Sequence, residues 1–222
     1  MKKFNAFTLA EGATHVDTSN GSKSFGFTLA EVLITLGIIG VVAAMTMPTL
    51  MNQTNGAQYK AAYKKALSAI SQAVTLNVAL DGDDLGNVTD FRPILKDRMN
   101  YASIVDGAID SANYDFHSVN RTSGATAPGA NNTTIFLNDG TMFTFPTSIS
   151  NCTEWDSAGC KGYIDVNGKK GPNKETVCKE GINTAGGATC NVAEPRDIYP
   201  VSFFNQTIRP NSAAARAVLY GK

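Results

Sequence analysis

From Phe27 to Leu50 the chain holds 24 residues in which Glu31 is the only charge. At about 1.5 Å per residue such a run spans roughly 36 Å as a helix, enough to cross a bilayer. After Pro48 the pattern changes. A polar patch, Asn52 to Gly56, breaks the apolar run, and then Tyr59, Tyr63, Leu67, Ile70, Val74 and Val78 recur at intervals of three and four, with Lys60, Lys64 and Lys65 on other faces. That periodicity predicts an amphipathic helix whose apolar face packs on the chain's own head and which Asp81-Gly82-Asp83-Asp84 stops. Residues 27–80 are therefore expected to form one interrupted helix, weakened at Gly37, Gly40 and Pro48.

Beyond residue 80 the signals are weaker. A short helix is expected between Asp90 and Met99, inside a variable connection that covers residues 81–132. Thr133 to Leu137 and Thr141 to Phe145 are β-rich runs joined by Asn138-Asp139-Gly140, a hairpin signal, and the sheet is expected to begin there. Gly162 to Val166 and Ile198 to Phe204 are further candidate strands, and the alanine-rich Ser212 to Tyr220 reads as a short helix or a terminal arm. The economical fold is α+β: a long N-terminal helix, half membrane-spanning and half amphipathic, with a small antiparallel sheet laid on the amphipathic half.

Charge and composition narrow the function. The chain has 222 residues with 19 basic and 19 acidic side chains, which argues against a whole-chain positive field for nucleic acid. Lys161, Lys169, Lys170, Lys174 and Lys179 form a lysine-rich patch, for which solvated loops are the default reading, so nucleic acid is not an expected partner. No nucleophile elbow, metal-binding pair or phosphate loop is present, and His117 is the one histidine outside the leader, so an enzyme is not expected. Lys2, Lys3 and Lys23 outnumber Glu11 and Asp17 ahead of the apolar run, which leaves residues 1–26 in the cytoplasm and the head outside it. A carboxylate inside an apolar helix costs a few kcal/mol, so Glu31 is a functional candidate by position. The four cysteines, Cys152, Cys160, Cys178 and Cys190, show no zinc or thioredoxin spacing. In an oxidising compartment they read as disulfides, sequential pairing closing two short loops; the two other connectivities stay open.

Gly26-Phe27-Thr28-Leu29-Ala30-Glu31 followed by the apolar run resembles the cleavage signal of type IV prepilins and of type II secretion pseudopilins. Counted from Phe27, Glu31 is the fifth residue and Pro48 the twenty-second, the register in which that family places its acid and its helix-breaking proline. The resemblance implies cleavage after Gly26 by a prepilin peptidase/methyltransferase, N-methylation of Phe27, and assembly through Glu31. It also implies four regions: a cleaved cytoplasmic leader (1–26), a transmembrane and assembly helix (27–50), an amphipathic helix (51–80) and a globular head (81–222). A second copy of the motif, Phe7-Thr8-Leu9-Ala10-Glu11, reads as a leader fragment without function. The implied location is the bacterial inner membrane, single-pass, and then an extracytoplasmic filament. The implied partners are the lipid bilayer, the inner-membrane assembly platform, other copies of the chain and related pilins.

The run Asp165-Val166-Asn167-Gly168 through Asn173, with Arg196-Asp197-Ile198-Tyr199 after an insertion, resembles the C-terminal loop of major-pseudopilin heads. That likeness implies a calcium site with Asp165, Asn167 and Asp197 as oxygen ligands; the alternative is a glycine-rich turn capped by Asp and Asn. Three roles follow: a repeated structural subunit of a pilus or pseudopilus, a minor tip pilin that binds a ligand or DNA or initiates assembly, and an unpolymerised membrane-anchored binding protein.

Overall fold

The computed structural model describes residues 26–109, 114, 129–157, 159–179, 190–194 and 196–221. The chain divides into two units, Met1–Met47 and Pro48–Lys222. Helix α1 (Leu29–Asp81) starts in the first. There, among the described residues, Ala43 alone is half-buried and the rest are exposed. Its apolar stretch is long and apolar enough to cross a membrane, and none of it is buried within the protein.

The expected interruption does not occur. α1 is continuous through Gly37, Gly40, Pro48 and the polar Asn52–Gly56 stretch. Proline withdraws one N–H from the helix ladder, and the bonds on either side are enough to carry the helix past it. Threonines back-bond along this stretch: Thr35 Oγ1 donates to Glu31 O at 2.9 Å, Thr46 Oγ1 to Val42 O at 3.0 Å and Thr54 Oγ1 to Leu50 O at 2.9 Å.

In the second unit the helical periodicity becomes a buried stripe. Tyr63, Ala66, Leu67, Ile70, Ala73 and Val74 are buried, while Tyr59 and Val78 are half-buried at its ends. The helix ends where expected: Gly82 takes φ +80° and donates to Val78 O at 3.1 Å, and Asn77 Nδ2 donates to Asp83 O at 2.9 Å. Helix α2 (Arg92–Arg98) follows within the segment expected to be helical.

The stripe meets a six-stranded antiparallel sheet of order β1-β2-β3-β4-β7-β8. Its strands are β1 (Tyr101–Asp106), β2 (Asn132–Leu137), β3 (Met142–Pro146), β4 (Lys161–Asp165), β7 (Ile198–Phe204) and β8 (Thr207–Pro210). Between β4 and β7, β5 (Val177–Cys178) and β6 (Val192–Glu194) form a separate two-stranded ribbon. The fold is α+β and pilin-like, a long N-terminal helix followed by a small antiparallel sheet. Tyr63 stacks on Tyr199 with ring centroids 4.1 Å apart, and Phe91, Phe143, Phe145 and Phe203 form the aromatic centre of the core.

The β2–β3 hairpin lies where its turn residues predict. Gly140 adopts φ +91° and donates to Leu137 O at 3.0 Å, and Asp139 Oδ2 pairs with Lys65 at 2.9 Å, which ties the turn to α1. The sheet, however, begins earlier than expected, at β1 inside the supposed connection. β1 is an edge strand exposed on most of its length, so it carries no inside–outside alternation to read. β8 is four residues ending in proline and reads as turn rather than strand. The terminal helix α3 (Ala213–Tyr220) is capped by Ser212, whose Oγ accepts from Ala215 N at 3.0 Å.

Candidate functional site

The N-terminal motif builds a capping box. Thr28 precedes the first turn of α1 and Glu31 sits three residues on, the T-x-x-E spacing at which the two side chains reach back to each other. Glu31 Oε2 accepts from Thr28 N at 2.7 Å and from Thr28 Oγ1 at 2.8 Å, while Glu31 N donates to Thr28 Oγ1 at 3.3 Å. Two backbone donors that begin the helix without intrahelical partners are thereby satisfied, and a carboxylate lies at the positive end of the helix dipole. Within hydrocarbon, where no water supplies the missing bonds, such a cap matters more than in solution. Thr28 had no role in the sequence reading, although its spacing from Glu31 was the signal.

Next to this cap the chain is open. Phe27 is 87% exposed, and a Cβ placed on Gly26 would meet nothing within 4 Å, nor would one on Gly37 or Gly40. Gly26, Phe27 and Glu31 thus lie together on a fully accessible segment. The second motif copy, residues 7–11, lies outside the described residues, as do the leader before Gly26 and His117.

The second group of expected residues lies in the head. Asp165 ends β4, Asp197 immediately precedes β7, and their strands pair with Asp165 opposite Ile198. Both carboxylates are buried. Asp165 Oδ2 accepts from Tyr114 Oη at 2.9 Å and Oδ1 from Asn167 N at 3.2 Å; Asp197 accepts from Asn173 N at 2.7 Å and Lys174 N at 2.8 Å. Burial, together with the neighbouring Asp197 carboxylate, pushes Asp165 up to about 8, and burial also raises Asp197. Burial raises Tyr59 and Tyr114 as well, with the same carboxylates adding to the effect. The loop between them lies hard against the hairpin: Gly168 takes φ +68°, and a Cβ there would stand 2.5 Å from Gly140 O.

Asp165, Asn167 and Asp197 are thus brought together, but around chain rather than around space. All four carboxylate oxygens already accept an N–H or O–H, and Asn167 Nδ2 donates to Gly171 O at 3.1 Å. Asn167 Oδ1 is the one oxygen of the three side chains that is buried without a partner. These bonds fasten the loop after β4. Tyr59 and Tyr114, which face these acids, were missed, since a lone tyrosine carries no sequence signal of that kind.

The cysteines pair sequentially. Cys152 bonds Cys160 with Cα atoms 5.7 Å apart, and Cys178 bonds Cys190 at 5.4 Å; no described cysteine is free. The first bond closes the loop between β3 and β4, and the second ties the β5–β6 ribbon.

A family model described as the prokaryotic N-terminal methylation motif matches residues 21–47. The chain carries the signal of a pilin-type or pseudopilin-type substrate of prepilin peptidase. The match covers the capping box, Gly26, Phe27 and most of the apolar run, and it supports a type IV pilin-like or pseudopilin family. It points to a structural protein rather than an enzyme. Neither a curated protein nor a solved structure matches the chain significantly.

Proposed function

We propose that this chain is a structural subunit of a type IV pilus or a type II secretion pseudopilus. Prepilin peptidase removes residues 1–26 on the cytoplasmic face and methylates Phe27; residues 27–50 anchor the protein in the inner membrane and later pack between subunits. Residues 51–80 and the head 81–222 lie outside the membrane, and the assembly platform extracts the anchored protein into a filament of like chains. The observation that carries this reading is the unburied apolar start of α1, joined directly to the methylation motif. A stretch apolar on every face needs a partner outside its own chain, and lipid followed by neighbouring helices supplies one.

In this scheme Glu31 acts twice. In the membrane it caps its own helix through Thr28. In the filament the cationic methylated amine of a neighbouring Phe27 competes for the same carboxylate, and that pairing sets axial register in a low-dielectric core. Sheared filaments from cells with an active peptidase test the reading. The mature chain should be 196 residues (222 − 26) beginning at methylated Phe27. Glu31→Val should be cleaved and inserted but absent from filaments, with Glu31→Asp milder. Polymerisation of Glu31→Val at the wild-type level would overturn the register argument and favour a merely anchored protein. Recovery in bulk or in traces separates a major subunit from a minor one.

A further inference from the structure

We infer that the head is oppositely charged at its two ends, and that its lysine-bearing end docks on the acidic end of a second copy of this chain. The contact presupposes the filament proposed above and supplies a head surface for it.

The two ends lie far apart along α1. The loop after β4 stands at the end nearer Pro48: Gly168 packs against Gly140 of the hairpin that Lys65 ties to α1, and Asp165 and Asp197 beneath the loop face Tyr59. The other end gathers the turn after α1, the β7–β8 turn and the Cys152–Cys160 loop. There Leu85 N donates to Asn205 O at 2.8 Å, Asn205 N to Cys152 O at 2.7 Å and Asn205 Nδ2 to Thr153 O at 2.9 Å. From Tyr59 to Asp81 the helix is continuous, and at about 1.5 Å per residue it rises roughly 33 Å.

Unmatched charge separates between these ends. Lys170 and Lys174 are exposed at the first, on a loop held by Asn167 Nδ2 donating to Gly171 O at 3.1 Å and Lys174 N donating to Asp197 at 2.8 Å. Lys169 is exposed beside them, its ammonium 5.5 Å from the Phe136 ring. Asp83 and Glu154 are exposed at the second end. Among the described residues, none of Lys170, Lys174, Asp83 and Glu154 pairs with an opposite charge. The basic groups near the acidic end do not offset Asp83 and Glu154, because Arg92 is held by Asp90 and Asp106, Arg98 by Asp81 and Lys161 by Asp156.

Two ends of one head cannot meet each other, so each needs a partner from outside. Nucleic acid or an anionic bilayer would satisfy the lysines and leave Asp83 and Glu154 without a role, whereas a second copy accounts for both. Positive end on negative end is a heterologous contact, and where its rotation does not close it propagates as a helical filament. Charge complementarity of this kind fixes register and partner choice more than raw affinity, so it orients heads whose apolar helices already associate.

The test measures filament protein sheared from cells that make the full chain, relative to cell-associated protein. Lys170→Glu with Lys174→Glu should lower the filament fraction about tenfold, as should Asp83→Lys with Glu154→Lys, because each pair sets like charges across the contact. All four substitutions together should bring back most of the wild-type fraction, since the reversed ends match again. Raised ionic strength should narrow the defect of either pair. All four positions are exposed, and an unchanged melting temperature of the head checks folding; if one pair misfolds, the other pair and its salt response decide. Assembly of a folded pair variant at the wild-type level would overturn the contact. So would a four-substitution chain that assembles no better than the pairs, in favour of another partner for the lysines. Absence of the wild-type chain from filaments would instead remove the filament reading, and this contact with it.

Discussion

The two ends of α1 use similar residues to opposite effect. Near its start Leu36 is 59% exposed and Ile38 60%; further on Ile70 is fully buried and Val74 1% exposed. Local helix formation is equally good in both, so propensity does not separate them. The difference is arrangement. Around Ile70, apolar residues recur on one face and lysines occupy the others, so a sheet in the same chain can cover the stripe. Around Ile38 every face is apolar, and no single sheet covers a whole cylinder. A helix that is hydrophobic all round announces a partner beyond its chain, while an amphipathic one is satisfied at home.

A matched pair of substitutions breaks this comparison most sharply. Ile70→Ala should destabilise the head by about 2–5 kcal/mol in chemical denaturation, whereas Ile38→Ala should leave it within about 0.5 kcal/mol. Equal effects would mean that the early part of α1 is buried within its own chain after all. Val42→Lys should cost about 3 kcal/mol of membrane insertion and release the protein into the soluble fraction without lowering the head's melting temperature.

The two acidic sites extend the comparison. Glu31 is exposed and engaged at a helix end, whereas Asp165 is buried, with a proton affinity raised by burial and by Asp197. Because the folded state binds that proton more tightly than the unfolded chain, the stability it confers is full at acid pH. It is lost as pH rises from the usual carboxylate range through about 8. The head's melting temperature should therefore fall by roughly 4–8 °C between pH 5 and 8. Asp165→Asn should flatten that slope, and an unchanged slope would place the titration elsewhere. The smallest effect belongs to the cap: Thr28→Val should loosen the first turn of α1 by about 1 kcal/mol. Faster hydrogen exchange at Leu29 to Val32 in bicelles would report it, with head melting unchanged.

Much of this molecule was legible from pattern. Asn138-Asp139-Gly140 carries its own φ requirement, so the hairpin needed no context. Ser212 announces α3 in the same way. β1 was not legible because a solvated edge strand shows no alternation, and the acidic pair leaves two readings open for a related reason. Asp165, Asn167 and Asp197 supply the oxygens that calcium favours, and identical oxygens also cap backbone N–H groups. Residue type does not say which of the two they meet.

The sequence by itself determined the processing motif, the apolar run, the amphipathic stripe and the start of each strong element, because local backbone preference and spacing along the chain decide those. Only the tertiary structure decided that α1 runs through Pro48 unbroken and that each disulfide closes its own loop. It alone decided that the buried carboxylates hold the loop after β4, and that Leu85, Thr153 and Asn205, far apart along the chain, meet at one end of the head. Those outcomes depend on which distant groups the fold brings within hydrogen-bonding or bonding distance, and a one-dimensional pattern does not contain that proximity.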